Sequence, residues 1–352
     1  MSDNTILALP LTALADALAR GELSSAEVVE AYIERIEAVN PLINAVITKR
    51  YDAAREEARR ADATRQRGQP LGALHGVPVT IKDCIDVADL PSTFGLPARA
   101  CHRAESDEIH VARLRAAGAI VLGKTNVSQA LFYTEADNPL FGRTLNPWNP
   151  QRSPGGSSGG EGAIIAAGGS PLGLGTDIGG SVRVPAAFCG IASLKATAGR
   201  MDDWGEYSAP PGQRAILSQT GVLARTADDV ALGYRIASDA PERADLPAWR
   251  DPAAVPVPQL RVAYYTDDGS FTPSPAVQRA VREAAEALRS AGATVSEWAP
   301  PRVPDAYRIF GGIMTADGGA HLRRIVAGQP LSPQLRQLLL GAGIPGWLRP
   351  GL

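Results

Sequence analysis

At 352 residues, with Lys+Arg 35 against Asp+Glu 37, the chain has room for one large α/β domain or two to three average ones and carries no basic field for nucleic acid. Its 45% hydrophobic and 20% charged residues exclude a disordered chain, and 5% aromatic residues leave little for a platform that stacks single strands. The three cysteines, Cys84, Cys101 and Cys189, form no C-x-x-C pair, so buried thiols are a plainer reading than a disulfide framework or a structural zinc.

Residues 1–5 show no basic region followed by an apolar stretch, and nowhere do about 18 apolar residues run together. A cytoplasmic protein with no membrane span is therefore expected. Leu11, Leu14, Ala15 and Leu18 recur at helical spacing, and Ser24 with Glu27 makes a capping box ahead of Val28, Val29, Tyr32, Ile33 and Ile36. This pattern predicts a helical hairpin. Val77, Val79 and Ile81 alternate as in a half-buried strand that delivers Lys82 and Asp83 at its end. A helix is predicted over 107–117, stopped by Gly118, and a short strand over 119–122. Further on, Leu172, Leu174 and Thr176 alternate with glycines that thin a strand and let another backbone come close. Strands alternating with helices imply a mixed, largely parallel sheet sandwiched by helices, an α/β architecture that gathers sites at strand ends.

Residues 236–258 read as a Pro-rich surface connection. After it come a strand over 260–265, a helix begun by Ser274-Pro275 with Val277, Val281, Ala284 and Leu288 on one face, and a strand over 293–298. Periodicity leaves open whether this β-α-β unit is a subdomain or a late part of the same sheet.

Chemistry concentrates in two glycine-wrapped serines 24 positions apart, Ser157 inside Gly155-Gly156-Ser157-Ser158-Gly159-Gly160 and Ser181 after Gly179-Gly180. Such loops offer an accessible hydroxyl and unobstructed backbone N–H groups, two requirements of acyl transfer. A conventional triad needs a histidine, yet His75, His102, His110 and His321 sit in no recognisable frame, and no G-x-S-x-G elbow occurs. Lys82 is the candidate base, since a lysine amine can abstract a proton where burial disfavours its charged form. A surface pair between Lys82 and Asp83 is the competing reading. Residues 155–160 lead straight into Ala163-Ile164-Ile165, which favours a loop feeding a buried helix over a linker. Residues 118–125 match G-x-x-x-x-G-K-[ST], but the variable positions are strand-like and leave no loop to wrap a phosphate.

Five stretches in order, 76–83, 123–126, 146–150, 155–160 and 175–185, together resemble the amidase signature hydrolases. The resemblance implies Ser181 as the acylated nucleophile, Ser157 as an intervening serine held by a cis peptide, and Lys82 as the base that becomes the acid. It implies an oxyanion hole from the N–H groups of Ile178, Gly179, Gly180 and Ser181, and supporting roles for Ser158, Thr176, Asp177 and Arg183. Leu131 would lie near the acyl pocket, with a core leucine as the competing reading. One domain over 1–352 is implied: N-terminal helices at 1–70, a catalytic core at 71–235, the connection at 236–258 and a partial C-terminal region at 259–352. No metal or cofactor is required. The expected partner is a small-molecule amide rather than nucleic acid, and a homodimer is allowed. Residues 138–142, 160–162 and 177–178 resemble the fatty acid amide hydrolase branch more than the tRNA-dependent amidotransferase branch. The family pattern continues past Leu352, so a C-terminally incomplete fold is expected. An amidohydrolase is the leading reading; an amidotransferase A-type subunit that works in a complex, or an inactive truncated amidase, are the alternatives.

Overall fold

The computed structural model describes residues 3–201, 213, 215–239 and 247–342. They fall into two compact units, one made of the described residues up to 239 together with 317–342, the other of residues 247–316. In chain order the elements are α1 (Asp3–Ala8), α2 (Leu11–Arg20), α3 (Ser25–Ile43), β1 (Val46–Lys49), α4 (Tyr51–Gln66), β2 (Pro78–Lys82), α5 (Ile109–Ala116) and β3 (Ile120–Thr125). There follow α6 (Gly159–Ala166), β4 (Leu172–Asp177), α7 (Arg183–Cys189), β5 (Ala192–Lys195), β6 (Gln219–Ala224) and α8 (Ala227–Ala237). The smaller unit contains β7 (Arg261–Tyr264), α9 (Pro275–Ser290), β8 (Thr294–Glu297) and α10 (Val303–Met314); α11 (Ala320–Ile325) and α12 (Pro333–Ala342) return to the larger one.

The two helices expected from the N-terminal pattern are α2 and α3, but they do not pack on each other as a hairpin: α2 lies against α8, and α3 against α4. Leu11, Leu14 and Leu18 bury the inner face of α2, which ends on Gly21 at φ 72, a left-handed conformation that glycine adopts without strain. The Ser24 hydroxyl accepts from Glu27 N at 3.1 Å while Glu27 Oε2 accepts from Ser24 N at 3.0 Å, so the capping box starts α3.

The main sheet has the order β1-β3-β2-β4-β6-β5. β3, β2 and β4 run parallel, while β1 and β6 are antiparallel to their neighbours; β5 therefore shares the direction of the central three. Helices cover both faces. Gly233 of α8 lies against Leu172 and Val222, whereas Glu161 of α6 lies over Gly173, the neighbouring position on β4 and hence the opposite face.

Two expectations need correction. β2 is buried at every position rather than half-buried, because the face carrying Pro78, Thr80 and Lys82 meets a layer of buried polar side chains instead of solvent. On β4 the approach is made by side chains, not by another backbone: a Cβ on Gly173 would fall 2.0 Å from Glu161 Oε2, and one on Gly175 would fall 2.7 Å from Ser158 Oγ.

In the smaller unit, β7 and β8 pair in parallel as their own two-stranded sheet, with α9 between them in sequence, which answers the question periodicity left open. Ser274 caps α9 ahead of Pro275. Of the expected surface connection, residues 240–246 lie outside the described residues, as do residues 343–352 of the expected C-terminal region. Among the described residues no helix is long and apolar enough to cross a membrane.

Candidate active site

Lys82 is the last residue of β2, and because Thr80 and Lys82 lie two apart on a strand, both side chains leave the same face of the sheet. Lys82 is fully buried, and its Nζ donates to Ser157 Oγ at 2.7 Å and to Thr176 Oγ1 at 2.8 Å, with the Thr176 carbonyl at 3.5 Å. The surface pair with Asp83 does not form. Asp83, one residue on, points away and accepts from Thr93 N at 3.2 Å, Thr93 Oγ1 at 2.9 Å and Phe94 N at 2.6 Å.

The loop before α6 supplies Ser157, and its Gly156–Ser157 peptide is cis, as the resemblance implied. The expected passage from loop to buried helix is found: α6 is buried from Gly159 through Ile165. Ser158 N donates to the Ser181 carbonyl at 3.1 Å, tying the two serine loops together, and Ser158 Oγ donates to the Thr176 carbonyl at 3.3 Å. Thr176 thus fixes Lys82 and Ser158 at once, a tighter connection than general support of the loop.

Ser181 lies half-buried two residues before α7, with Gly179 exposed and Ile178 half-buried beside it. Its hydroxyl makes no hydrogen bond to Ser157, nor to any other described residue. Asp177 shapes this loop. Its Oδ1 accepts from Gly180 N at 2.8 Å and its Oδ2 from Val182 N at 3.1 Å, while Arg183 Nη2 and Nε reach the two oxygens at 2.8 and 3.0 Å. Burial by itself would raise the Asp177 carboxyl; the hydrogen bonds from Arg183, Val182 and Gly180 outweigh it and hold the group below the usual aspartate value. Gly180 sits at φ 119, a conformation open to glycine. Its N–H is committed to Asp177, whereas those of Ile178, Gly179 and Ser181 have no acceptor among the described residues.

A second layer was not assigned from the sequence. Glu161 is fully buried, its two oxygens accepting from Thr80 Oγ1 at 2.7 Å and Thr125 Oγ1 at 2.8 Å, and burial pushes its carboxyl up to about 8. Lys124, also fully buried, donates to the carbonyls of Asp83 at 2.9 Å and Pro91 at 3.0 Å and to Ser92 Oγ at 3.3 Å; burial lowers its amine and raises Asp83. Lys124 and Thr125 therefore lie inside β3, away from any phosphate-wrapping loop. The signal for this layer was there: Glu161 stands between the six glycine and serine positions 155–160 and an apolar segment, and Thr80 shares the parity of Lys82.

Leu131 lies in a turn with φ 63, within a cluster that includes Phe94, Val127, Leu322, Val326 and Leu335. Three of the four histidines are engaged elsewhere, His75 Nε2 with the Ala61 carbonyl at 3.0 Å, His110 Nδ1 with the Ala237 carbonyl at 2.7 Å and His321 Nδ1 with Arg324 at 3.0 Å, and His102 is exposed.

The Amidase family profile matches residues 27–343. A fatty-acid amide hydrolase of Sus scrofa is 39% identical over 99% of this chain and 60% of its own length, and the A subunit of a glutamyl-tRNA(Gln) amidotransferase of Roseiflexus castenholzii is 40% identical over 87% of this chain and 63% of its own. A solved fatty acid amide hydrolase superposes with a TM-score of 0.90 at 33% identity, covering 97% of this chain and 62% of that one. The chain thus spans about three fifths of the length of these relatives. With the profile covering most of its residues and its fold superposing on a solved relative, the chain belongs to the amidase family, the amidase signature enzymes.

Proposed function

We propose that the chain carries an amidohydrolase that cleaves a carboxylic acid amide to an acid and an amine or ammonia. The observation that supports it most is the buried 2.7 Å contact between Lys82 Nζ and Ser157 Oγ beside an accessible Ser181. In this reading Lys82 acts as the free amine. It takes the Ser157 proton while Ser157 takes that of Ser181, and Ser181 Oγ attacks the amide carbonyl carbon. The tetrahedral oxyanion is met by N–H groups of Ile178, Gly179 and Ser181; Gly180, included in the sequence expectation, gives its N–H to Asp177. One such donor contributes about 2.7 to 4 kcal/mol. The proton returns from Lys82 through Ser157 to the departing nitrogen, the C–N bond breaks, and water then hydrolyses the ester on Ser181.

The substrate is drawn from the amides that relatives are named for. These include fatty-acid amides and, in Bradyrhizobium diazoefficiens, indoleacetamide, for a relative 39% identical over 86% of this chain. Leu131 then borders the acyl group through its apolar cluster. A fluorophosphonate probe followed by peptide mass mapping should label Ser181 in wild type and nothing in Ser181→Ala; a folded wild-type protein that stays unlabelled sinks the reading. A panel of short and long acyl amides, run beside Lys82→Ala, then ranks the acyl group.

The 40% identity to the A subunit of an amidotransferase favours one second reading, a component that delivers ammonia within a complex. Robust hydrolysis of simple amides by the purified chain alone rejects it, and co-purification with a tRNA-handling partner supports it.

A further inference from the structure

Glu161 is a carboxyl buried at the start of α6, four residues after Ser157, and nothing in the proton relay uses it. Its neighbours are specific. One oxygen is held by Thr80 of β2, two residues before Lys82 on the same strand face; the other is held by Thr125, the last residue of β3. On β4 the position beneath it is Gly173, where a Cβ would meet Oε2 at 2.0 Å; two residues on, Gly175 leaves the same kind of room for Ser158. The neighbouring Gly160 is equally confined, since a Cβ there would lie 2.4 Å from Asn126 N, and its own N–H donates to the Asn126 carbonyl at 3.1 Å. The first turn of α6 is therefore seated on three strands through one side chain, in a bed of glycines shaped to admit it.

We propose that Glu161 is a positioning residue for the Lys82–Ser157 pair, a clamp that fixes the serine loop against the strand that carries Lys82. The geometry makes the clamp direct: Thr80 and Lys82 belong to one rigid extended segment, and Ser157 and Glu161 to one loop and helical turn. The 2.7 Å contacts of Glu161 to Thr80 and of Lys82 to Ser157 are two rungs between the same two pieces of chain. The clamp works in either protonation state, because an ionised carboxylate accepts from both threonines and a protonated one accepts from one and donates to the other. A glutamine has one donor and one acceptor in the same shape, and so reproduces the protonated form.

The kinetic part of the test rests on the reading of Lys82 and Ser157 as reacting partners; the geometric part does not. Crystal structures and steady-state kinetics of Glu161→Ala, Glu161→Gln and Thr80→Val, each checked for folding by circular dichroism, decide the matter. In Glu161→Ala the Lys82 Nζ to Ser157 Oγ separation should open beyond about 3.5 Å, the limit of a hydrogen bond. Misplacement on that scale should lower kcat by about 10²-fold, with KM changed by less than about twofold. Glu161→Gln should keep the contact and a kcat within about threefold of wild type, and Thr80→Val, which removes one rung without a change of volume, should fall between them. An unchanged Lys82–Ser157 distance in Glu161→Ala overturns the proposal, as does a kcat equally reduced in Glu161→Gln and Glu161→Ala. If Glu161→Ala does not fold, Thr80→Val carries the decision by the same two readouts. A wild-type protein that neither hydrolyses amides nor takes the fluorophosphonate label defeats the functional reading, and the crystallographic distance alone then decides the role of Glu161.

Discussion

Lys82 and Ser157, 75 residues apart in the chain, meet at 2.7 Å with both side chains removed from solvent. The Thr176 hydroxyl, 2.8 Å from the same nitrogen, holds Lys82 in that direction. Lys82→Ala should lower kcat by about 10²- to 10⁴-fold, the range of a lost general base. Lys82→Arg should not rescue it, since a guanidinium stays protonated. Thr176→Val should lower kcat by about tenfold at nearly constant KM, with Thr176→Ser close to wild type; steady-state assays on one amide check all four.

Asp177 provides a pH signature of stability. Its carboxyl is held below the usual value, so the unfolded chain binds the proton more readily than the native one. Its contribution is therefore fully present above the ordinary value of 3.8 and is lost as pH falls through the lowered native value. Asp177→Asn should be less stable than wild type by about 1.5 kcal/mol at neutral pH, a modest figure because Arg183 is more than half exposed. Urea melts between pH 7 and 3 should show that difference shrinking towards the acid end.

Glu161 has the opposite sign. Burial raises it from 4.5 to about 8, so the native chain holds a proton that the unfolded chain gives up. Wild type should lose stability relative to Glu161→Gln as pH rises from about 5 to 8, which thermal melts at the two ends would reveal. A difference that stays flat across this range contradicts the burial of a titrating carboxyl.

Gly173→Ala should destabilise the fold by about 1 to 3 kcal/mol, the usual cost of overpacking, because the new methyl collides with Glu161 Oε2. Combining it with Glu161→Ala should recover part of that loss, since the colliding atom is gone. Denaturant midpoints for the two single variants and the double variant measure the coupling.

Cys189 and Cys101 should separate cleanly in alkylation. Burial pushes the Cys189 thiol up to about 12, and its Sγ lies 3.4 Å from the Pro154 carbonyl, whereas Cys101 is exposed. Iodoacetamide at neutral pH should modify Cys101 quickly and reach Cys189 only on unfolding, as peptide mapping over time would show.

Local signals were legible wherever a short window carries its own physical reason. The capping box of α3, the glycine after α5 and the serine-proline start of α9 each follow from the hydrogen-bonding needs of a helix end, which depend on three or four adjacent residues. The motif stretches also picked out Lys82, Ser157 and Ser181. The burial of β2 was not legible, because alternation reports which side chains share a face and not what lies opposite them.

The sequence by itself determined the elements with strong local signals, the family and the residues with reactive groups, since these depend on residue type and short spacing. The tertiary structure decided which of them meet. Asp83 turned away from Lys82 because it lies in the turn after β2, where Thr93 and Phe94 hold its carboxylate; Gly180 gave its N–H to Asp177; and Glu161 became a buried clamp because β2 and β3 place Thr80 and Thr125 on the two sides of its carboxyl. The two Glu161 contacts join segments 81 and 36 residues apart, and only the assembled sheet brings them within hydrogen-bond distance.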